Sequence, residues 1–424
     1  MTIDSQIKKF VLRNLQNIVF FLAQNFPFLI TLIVARLSRK LLFREHLTEK
    51  KSFKSFQEYR DFIEITLKSI STDNTNSYIN NHTSEKNRNN NSKELTGKKV
   101  FFICCDENQF SDKRVPAIFL DVWRDTAVEA GLITKVSVAN EFLYNKYPKS
   151  NSSKNEYVRR LIEEIKTFQA DIIFIDTNFF PSKHSLNGKD MEQIKTETSV
   201  PIYGHIGDMI NDDGVECACS WLCSIDGVFH SNIEKCNIGI HGLQYIPYTC
   251  STRRYFPEDI KNIPCFFSGV GNIARLWYIL LTLKFTKMFL PNSRINFFKA
   301  SQRTSENLFE QNEYDSIVRH AYSILDLTHR SRYIQNTSGR MFQALASASM
   351  LVAEECSALN KILKPFVEYL PFRNGGELIY ALTLIRDEPK LCDLIAKNGA
   401  RKFKECHNPQ KIWNEIFRKA KISL

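Results

Sequence analysis

Two short segments carry residue types suited to holding an anion. The first is Ser268-Gly-Val-Gly271, placed after the apolar run 263–269 and before a helical pattern over 273–290. Glycine has no Cβ, so the backbone of such a turn can approach a phosphate closely. The segment is a short G-x-G without the third glycine of a dinucleotide fingerprint. Arg275, near the start of the following helix, is a further candidate for a phosphate oxygen. The second segment is Gly339-Arg340, which opens the stretch 340–363. A helix start offers unpaired N–H groups and the positive end of the dipole. Arg340 could add a charge-assisted fork to a phosphate oxygen. The alternative for Arg340 is a surface salt bridge.

Elements must position these groups, and the sequence lays them out in order. Apolar runs at 98–104, 132–139, 170–176, 200–204, 226–230 and 243–247 read as strands. Helical periodicity over 115–130 and 157–168 separates the first of them. A second set follows: strand 263–269, helix 273–290, strand 294–299, helix 305–317 and strand 321–327. The stretch 340–363 then reads as a helix, a tight turn, a buried strand and a second helix. Pro389 suits a first helical turn, Gly399 interrupts that helix, and His407-Asn-Pro409 begins the last one, to about Ala420. Strand–helix alternation of this kind predicts an α/β fold of two doubly wound parallel domains, with a ligand cleft at the carboxyl ends of the strands.

The chain has 424 residues, 43% hydrophobic and 24% charged, which suits two globular domains and an appendage. Its net charge is +11. Residues 1–60 hold eleven Lys and Arg against four Asp and Glu, so much of that excess sits at the N-terminus. Residues 14–35 carry no formal charge and are long enough to span a bilayer, but Gln24, Asn25 and Pro27 lie at their centre. The preferred reading is two short apolar helices broken at Pro27 and lying in or on an anionic membrane surface. A true span and a face docked on the body are the alternatives. Nucleic acid and a plain solvated face are the other readings of this charge, but no nucleic-acid motif accompanies it. Residues 71–97 are rich in Asn and Ser and read as a linker. The resulting division is appendage 1–70, linker 71–97, first domain 98–255, second domain 256–406, and a helix 407–424 crossing back. Eleven scattered cysteines suggest reduced thiols in a cytosol-like compartment. Cys217, Cys219 and Cys223, with Cys236 beyond, fit a zinc site only in part and read as buried thiols on a helix.

The segment Phe342-Gln-Ala-Leu-Ala-Ser-Ala-Ser-Met-Leu-Val-Ala-Glu-Glu355 resembles the helix-turn-strand of GT-B glycosyltransferases, commonly L-E-A-M-A-C-G-T-P-V-V-A-S-D. Arg340 just before the aromatic, and Phe372-Arg-Asn-Gly-Gly-Glu-Leu378 downstream, are similar to the group-1 branch that includes the CgeB-like proteins. The resemblance covers about residues 98–420 and is strongest over 336–406. It implies a nucleotide-sugar donor, UDP- or GDP-linked, held in the second domain by Gly269, Gly271, Arg275, Gly339, Arg340, Gln335, Gln343 and Glu355. No metal and no separate cofactor are implied.

Three positions depart from the family pattern. Many retaining members carry Glu-x7-Glu where this chain has Gln335 and Gln343. An amide can hydrogen-bond hydroxyls but cannot act as a base. Ala348 also replaces a turn glycine. In the first domain, Val200-Pro-Ile-Tyr-Gly-His-Ile-Gly-Asp208 looks like the family's strand-end region. That implies His205 and Asp208 at the cleft mouth, as a base or as substrate-positioning groups. A structural histidine beside a capping aspartate is the alternative. The expected activity is metal-independent transfer of a sugar to a saccharide or lipid-linked saccharide in surface polysaccharide or glycoconjugate synthesis. It would take place in the cytoplasm or peripherally at the inner membrane face. The rival reading is a non-catalytic nucleotide-sugar-binding or scaffold protein of the same fold.

Overall fold

The computed structural model describes residues 53–69, 95–104, 120–139, 154–178, 180–181, 185–207, 212–233, 239–270, 273–298, 309–327 and 337–422. Asp208, Gly271 and Gln335 lie outside these residues, as do the uncharged stretch 14–35 and most of the Asn/Ser-rich stretch.

The first sheet holds six parallel strands: β1 (Lys99–Cys104), β2 (Ile133–Val138), β3 (Ile172–Asp176), β4 (Ile202–Ile206), β5 (Gly227–His230) and β6 (Leu243–Tyr245). Their order is β2-β1-β3-β4-β5-β6. Strands β3, β4 and β5 are buried at every position, as a parallel sheet covered on both faces requires. The second sheet is also parallel, in the order β11-β10-β9-β7-β8. It comprises β7 (Ile263–Val270), β8 (Arg294–Phe298), β9 (Ala321–Asp326), β10 (Met350–Glu354) and β11 (Leu370–Phe372). The two-domain Rossmann-like expectation therefore holds.

Helices fill the crossovers. Helix α1 spans residues 56–69. A π turn, Leu120–Arg124, runs into Asp125–Glu129, and together they form α2. Helices α3 (Lys154–Phe168), α4 (Gly188–Thr198) and α5 (Asp212–Leu222) complete the first domain. The second contains α6 (Ile273–Phe289), α7 (Gln311–His320), α8 (Gly339–Ala346), the single turn α9 (Ser357–Asn360), α10 (Gly375–Asp387) and α11 (Pro389–Lys402). The chain ends in α12 (Pro409–Lys419), capped by the Asn408 side chain.

Helix α12 does not stay with the domain that precedes it. Ile412, Trp413, Ile416 and Phe417 are buried in the core of the first sheet with Val100, Phe102 and Phe174. The Trp413 indole donates to Thr126 Oγ1 at 3.0 Å, and the Tyr203 hydroxyl donates to the Ala420 carbonyl at 3.1 Å.

Several elements differ from the sequence reading. Gly399 does not interrupt its helix: it lies inside α11, where a Cβ would come within 2.6 Å of the Glu368 carbonyl. Glycine is there for close packing. Residues 53–69, grouped by composition with the appendage, pack into the second domain. Tyr59, Ile63 and Leu67 join its core, and the Tyr59 hydroxyl donates to the Pro371 carbonyl. Leu95, at the end of the Asn/Ser-rich stretch, is buried in the first core. Of the helical thiols, Cys217 is buried, Cys219 half-buried and Cys223 exposed. No helix among the described residues is long and apolar enough to cross a membrane.

Ala348, in the slot where the family places glycine, has φ of +49°. The left-handed region strains an L side chain by roughly 1–2 kcal/mol. Glycine would relieve this but adds freedom to the unfolded chain. Ala348→Gly is therefore expected to raise the unfolding free energy by about 0.5–1 kcal/mol, read from the urea midpoint.

Candidate functional site

The carboxyl ends of β7 and β9 meet the first turn of α8. Asp326 ends β9, and its carboxylate accepts from the Ser338 hydroxyl. Ser338 is the N-cap of α8, yet its side chain makes no capping bond to the helix. The helix start is thus tethered to the strand end while its first-turn amides stay uncapped by that hydroxyl. Gly339 follows, and a Cβ there would meet nothing within 4 Å. Space is open at the positive end of the helix, where an anion is favoured.

Arg340 points back toward β7. Its Nη2 donates to the Ser268 carbonyl, and the guanidinium lies over the Phe267 ring at 5.3 Å. Gly269 makes this approach possible, since a Cβ there would stand 3.3 Å from Arg340 Nη2. Arg340 forms no ion pair among the described residues. Its Nε is buried without a hydrogen-bond partner there. The structure therefore brings together Gly269, Gly339 and Arg340.

Of the other described donor-site candidates, Arg275 stays at a strand end, while Glu355 and Gln343 are engaged by other side chains. Arg275 lies on α6 near Glu354, the last residue of β10. Burial pushes the Glu354 carboxyl up to about 8, and the positive charge of Arg275 partly opposes this. Glu355, the residue expected to touch the donor, is turned into the protein. It accepts from Asn360 Nδ2 at 3.2 Å and pairs with Arg373 at 3.6 Å. Adjacent residues at a strand end point to opposite faces, so only one of two neighbouring glutamates can share a given side. Gln343 is held between two phenols. Its Oε1 accepts from the Tyr314 hydroxyl at 2.9 Å, and its Nε2 donates to the Tyr255 hydroxyl at 3.2 Å.

His205 is almost fully buried at the end of β4. Trp123 Nε1 donates to its Nδ1 at 3.2 Å, so Nε2 carries the ring proton and meets Ser231 Oγ at 3.1 Å. Burial, with His230 nearby, lowers its pKa to about 3. Both nitrogens are engaged and the charged form is disfavoured, so the expected role as a base is not supported by this geometry. Beside it, the Thr337 hydroxyl donates to the Ser231 carbonyl at 3.4 Å and links the two domains at this edge.

Sequence reasoning missed Asp326, Ser338, Tyr314, Tyr255 and Glu354. A signal existed for Asp326 and Glu354, because each closes an apolar strand with a carboxylate. None existed for the tyrosines, which come from a distant helix and the interdomain crossover. Among the described residues, no group of three or more His, Cys, Asp or Glu could hold a metal ion.

A sequence profile for a family described as "Glycosyl transferase-like" matches residues 288–418, which include α8, β10 and Arg340. A comparison with curated proteins finds no match. Among solved structures, an alpha-glucosyltransferase in complex with UDP and a mismatched DNA aligns with a TM-score of 0.51 at 8% identity, covering 76% of this chain and 99% of that one. HepE of Anabaena in complex with UDP-glucose aligns with a TM-score of 0.49 at 10% identity, covering 76% and 99%. A glycosyltransferase from Rickettsia africae aligns at 0.45 and 10% identity, covering 77% and 98%. The chain has the GT-B architecture of two facing Rossmann-like domains.

Buried histidines give the protein a pH dependence with a definite sign. His230 and His407 are each lowered to about 4, chiefly by burial, alongside His205. Their folded values lie below the unfolded value near 6.5, so acid favours the unfolded chain below that pH. Glu354 runs the other way, because its folded value lies above its unfolded value; between about pH 4.5 and 8 it gains stability as pH falls. From pH 7 to pH 5 the unfolding free energy is expected to fall by about 3 kcal/mol, and by about 5 in Glu354→Gln. Urea melts at the two pH values provide the measurement. A flat profile in both proteins contradicts the assignment.

Proposed function

We propose that this protein is a glycosyltransferase that takes a nucleoside diphosphate sugar and moves the sugar to a saccharide or lipid-linked saccharide acceptor. The observation that carries the reading is the Gly269–Gly339–Arg340 constellation. It combines an open helix start, an arginine with no carboxylate partner among the described residues and a glycine that admits it, all at the carboxyl end of a parallel sheet. Such a group of donors suits a diphosphate. The fold shared with a transferase solved with UDP directs the choice of nucleotide toward uridine diphosphate. Surface polysaccharide or glycoconjugate synthesis is the process in which such an acceptor arises. The basic N-terminal 60 residues would hold the enzyme against an anionic cytoplasmic membrane face.

The residues divide the work as follows. Arg340, Arg275 and the α8 N-terminus supply positive charge to the diphosphate, so the transfer needs no metal or cofactor. Glu354 is the strand-end carboxylate left on this side once Glu355 is turned away, and it accepts from sugar hydroxyls. Asp208 is the candidate base for the acceptor hydroxyl. His205 fixes the end of β4 through Trp123 and Ser231.

A second reading, nucleotide-sugar binding without turnover, is favoured by Gln343, whose amide is spent on two tyrosines.

A thermal-shift panel of nucleotides and nucleotide sugars tests the donor site. UDP at 100 times its Kd should stabilise the protein by about 2.7 kcal/mol. Arg340→Ala should weaken that binding by roughly 10- to 100-fold. Stabilisation by no nucleotide refutes the donor site. Binding of UDP-sugars with no release of UDP in the presence of saccharide acceptors selects the second reading. If transfer is found, its rate should be unchanged by EDTA; loss on chelation would refute the metal-free scheme.

A further inference from the structure

Serine is among the best N-cap residues, because its hydroxyl oxygen can accept from the second or third N–H of the helix. Asn187, Asn374 and Asn408 act in this way for α4, α10 and α12. Their side chains accept from the N–H groups of Lys189 at 3.1 Å, Glu377 at 3.0 Å and Lys411 at 3.0 Å. Ser338 heads α8, and its backbone is set for the same task, extended at φ −116° and ψ 156°. Its side chain makes no capping bond. The hydroxyl donates instead to the Asp326 carboxylate.

Asp326 is placed to hold that hydroxyl. It is fully buried and closes β9, a strand paired on both sides by β10 and β7. A carboxylate oxygen accepts, and a hydroxyl has a single proton to give. With that proton directed at Asp326, the Ser338 oxygen is turned from the first turn of α8. The preceding residue, Thr337, is tied to the Ser231 carbonyl of the first domain. The entry to α8 is therefore fixed by groups outside the helix. Among the first-turn donors, the Met341 N–H bonds the Ser338 carbonyl at 3.2 Å. The N–H groups of Gly339 and Arg340, at the first two helical positions, have no acceptor within the helix.

We propose that Asp326 is a positioning residue for the donor site: it draws the Ser338 hydroxyl away from α8, so that the Gly339 and Arg340 N–H groups stay available to a diphosphate oxygen. This rests on the reading of the α8 start as the diphosphate contact. Without Asp326, Ser338 would cap its own helix and compete with the donor for the same N–H groups. The helix forgoes a stabilising cap to keep the site open, the kind of cost that functional sites carry.

Calorimetric titration of the full-length protein with UDP tests this. Asp326→Ala should bind UDP roughly fivefold more weakly than the unaltered protein, the equivalent of one serine N-cap. Asp326→Asn keeps an oxygen that accepts from Ser338, so its affinity should stay within about twofold of the unaltered protein. The deciding variant is the double one. Adding Ser338→Ala to Asp326→Ala removes the competing hydroxyl and should bring the affinity back to within about twofold. General damage to the strand end would not be repaired by truncating a second side chain. If Asp326→Ala does not fold, Asp326→Leu, nearer in shape, takes its place with the same expectations. Tighter UDP binding in both single variants would mean that Asp326 acts only as an unfavourable charge. Equal weakening in the Ala and Asn variants would mean that the carboxylate itself meets the ligand. Either result, unchanged affinity in Asp326→Ala, or no recovery in the double variant overturns the proposal while leaving the donor site standing. Failure of the unaltered protein to bind UDP overturns both.

Discussion

The placement of Trp413 in the first domain's core is the constraint on which the two-domain arrangement depends. The second domain is complete in its sheet by Phe372, yet the chain continues through α10 and α11 and returns α12 to the first sheet. Trp413 sits among Phe102, Trp123 and Phe174, with its indole N–H satisfied by Thr126. A buried tryptophan with its one polar atom paired combines large apolar burial with no desolvation penalty. Trp123 also bonds His205, and Thr126 lies on α2 with Asp125 and Glu129. The same packing unit therefore fixes the end of β4, the crossover contacts to Arg254 and the position of the last helix.

From that unit the site follows by short links. Glu129 accepts from the backbone N–H of Thr252 at 2.7 Å, and Asp125 receives Arg254. Arg254 in turn grips Asp315. At the other edge, His205 holds Ser231, whose carbonyl receives Thr337 two residues before Gly339. The candidate phosphate cradle is thus supported at this edge by groups of the first domain. Low local dielectric makes such links strong when fully paired and costly when one member is removed.

Most of the architecture was legible from the chain alone. Parallel strands buried on both faces read as continuous apolar runs, and the runs at 98–104, 170–176 and 321–327 each became a strand with nearly those bounds. Short elements were harder. The three residues of β11 contain a proline and carry too little periodicity to stand out. Helix α1 was absorbed into a basic N-terminal segment because composition averages over neighbours; Tyr59, Ile63 and Leu67 at helical spacing form the face that docks. Gly399 looked like a helix interruption because propensity argues against glycine there, but a backbone carbonyl lies too close for any side chain.

The sequence by itself determined the strand order along the chain, the two-domain division of labour it implies, and the pairing of glycine with arginine at the head of α8. These are set by local spacing, which is fixed by the 3.6- and 2-residue periods of helix and strand. The tertiary structure alone decided what the polar side chains do. His205 became a buried neutral ring because Trp123 and Ser231 converge on its two nitrogens. Glu355 turned inward to Arg373, leaving Glu354 at the strand end beside Arg275. Gln343 met two tyrosines 29 and 88 residues away in the chain. Such partners are chosen by packing between distant elements, and no local pattern in the sequence encodes them.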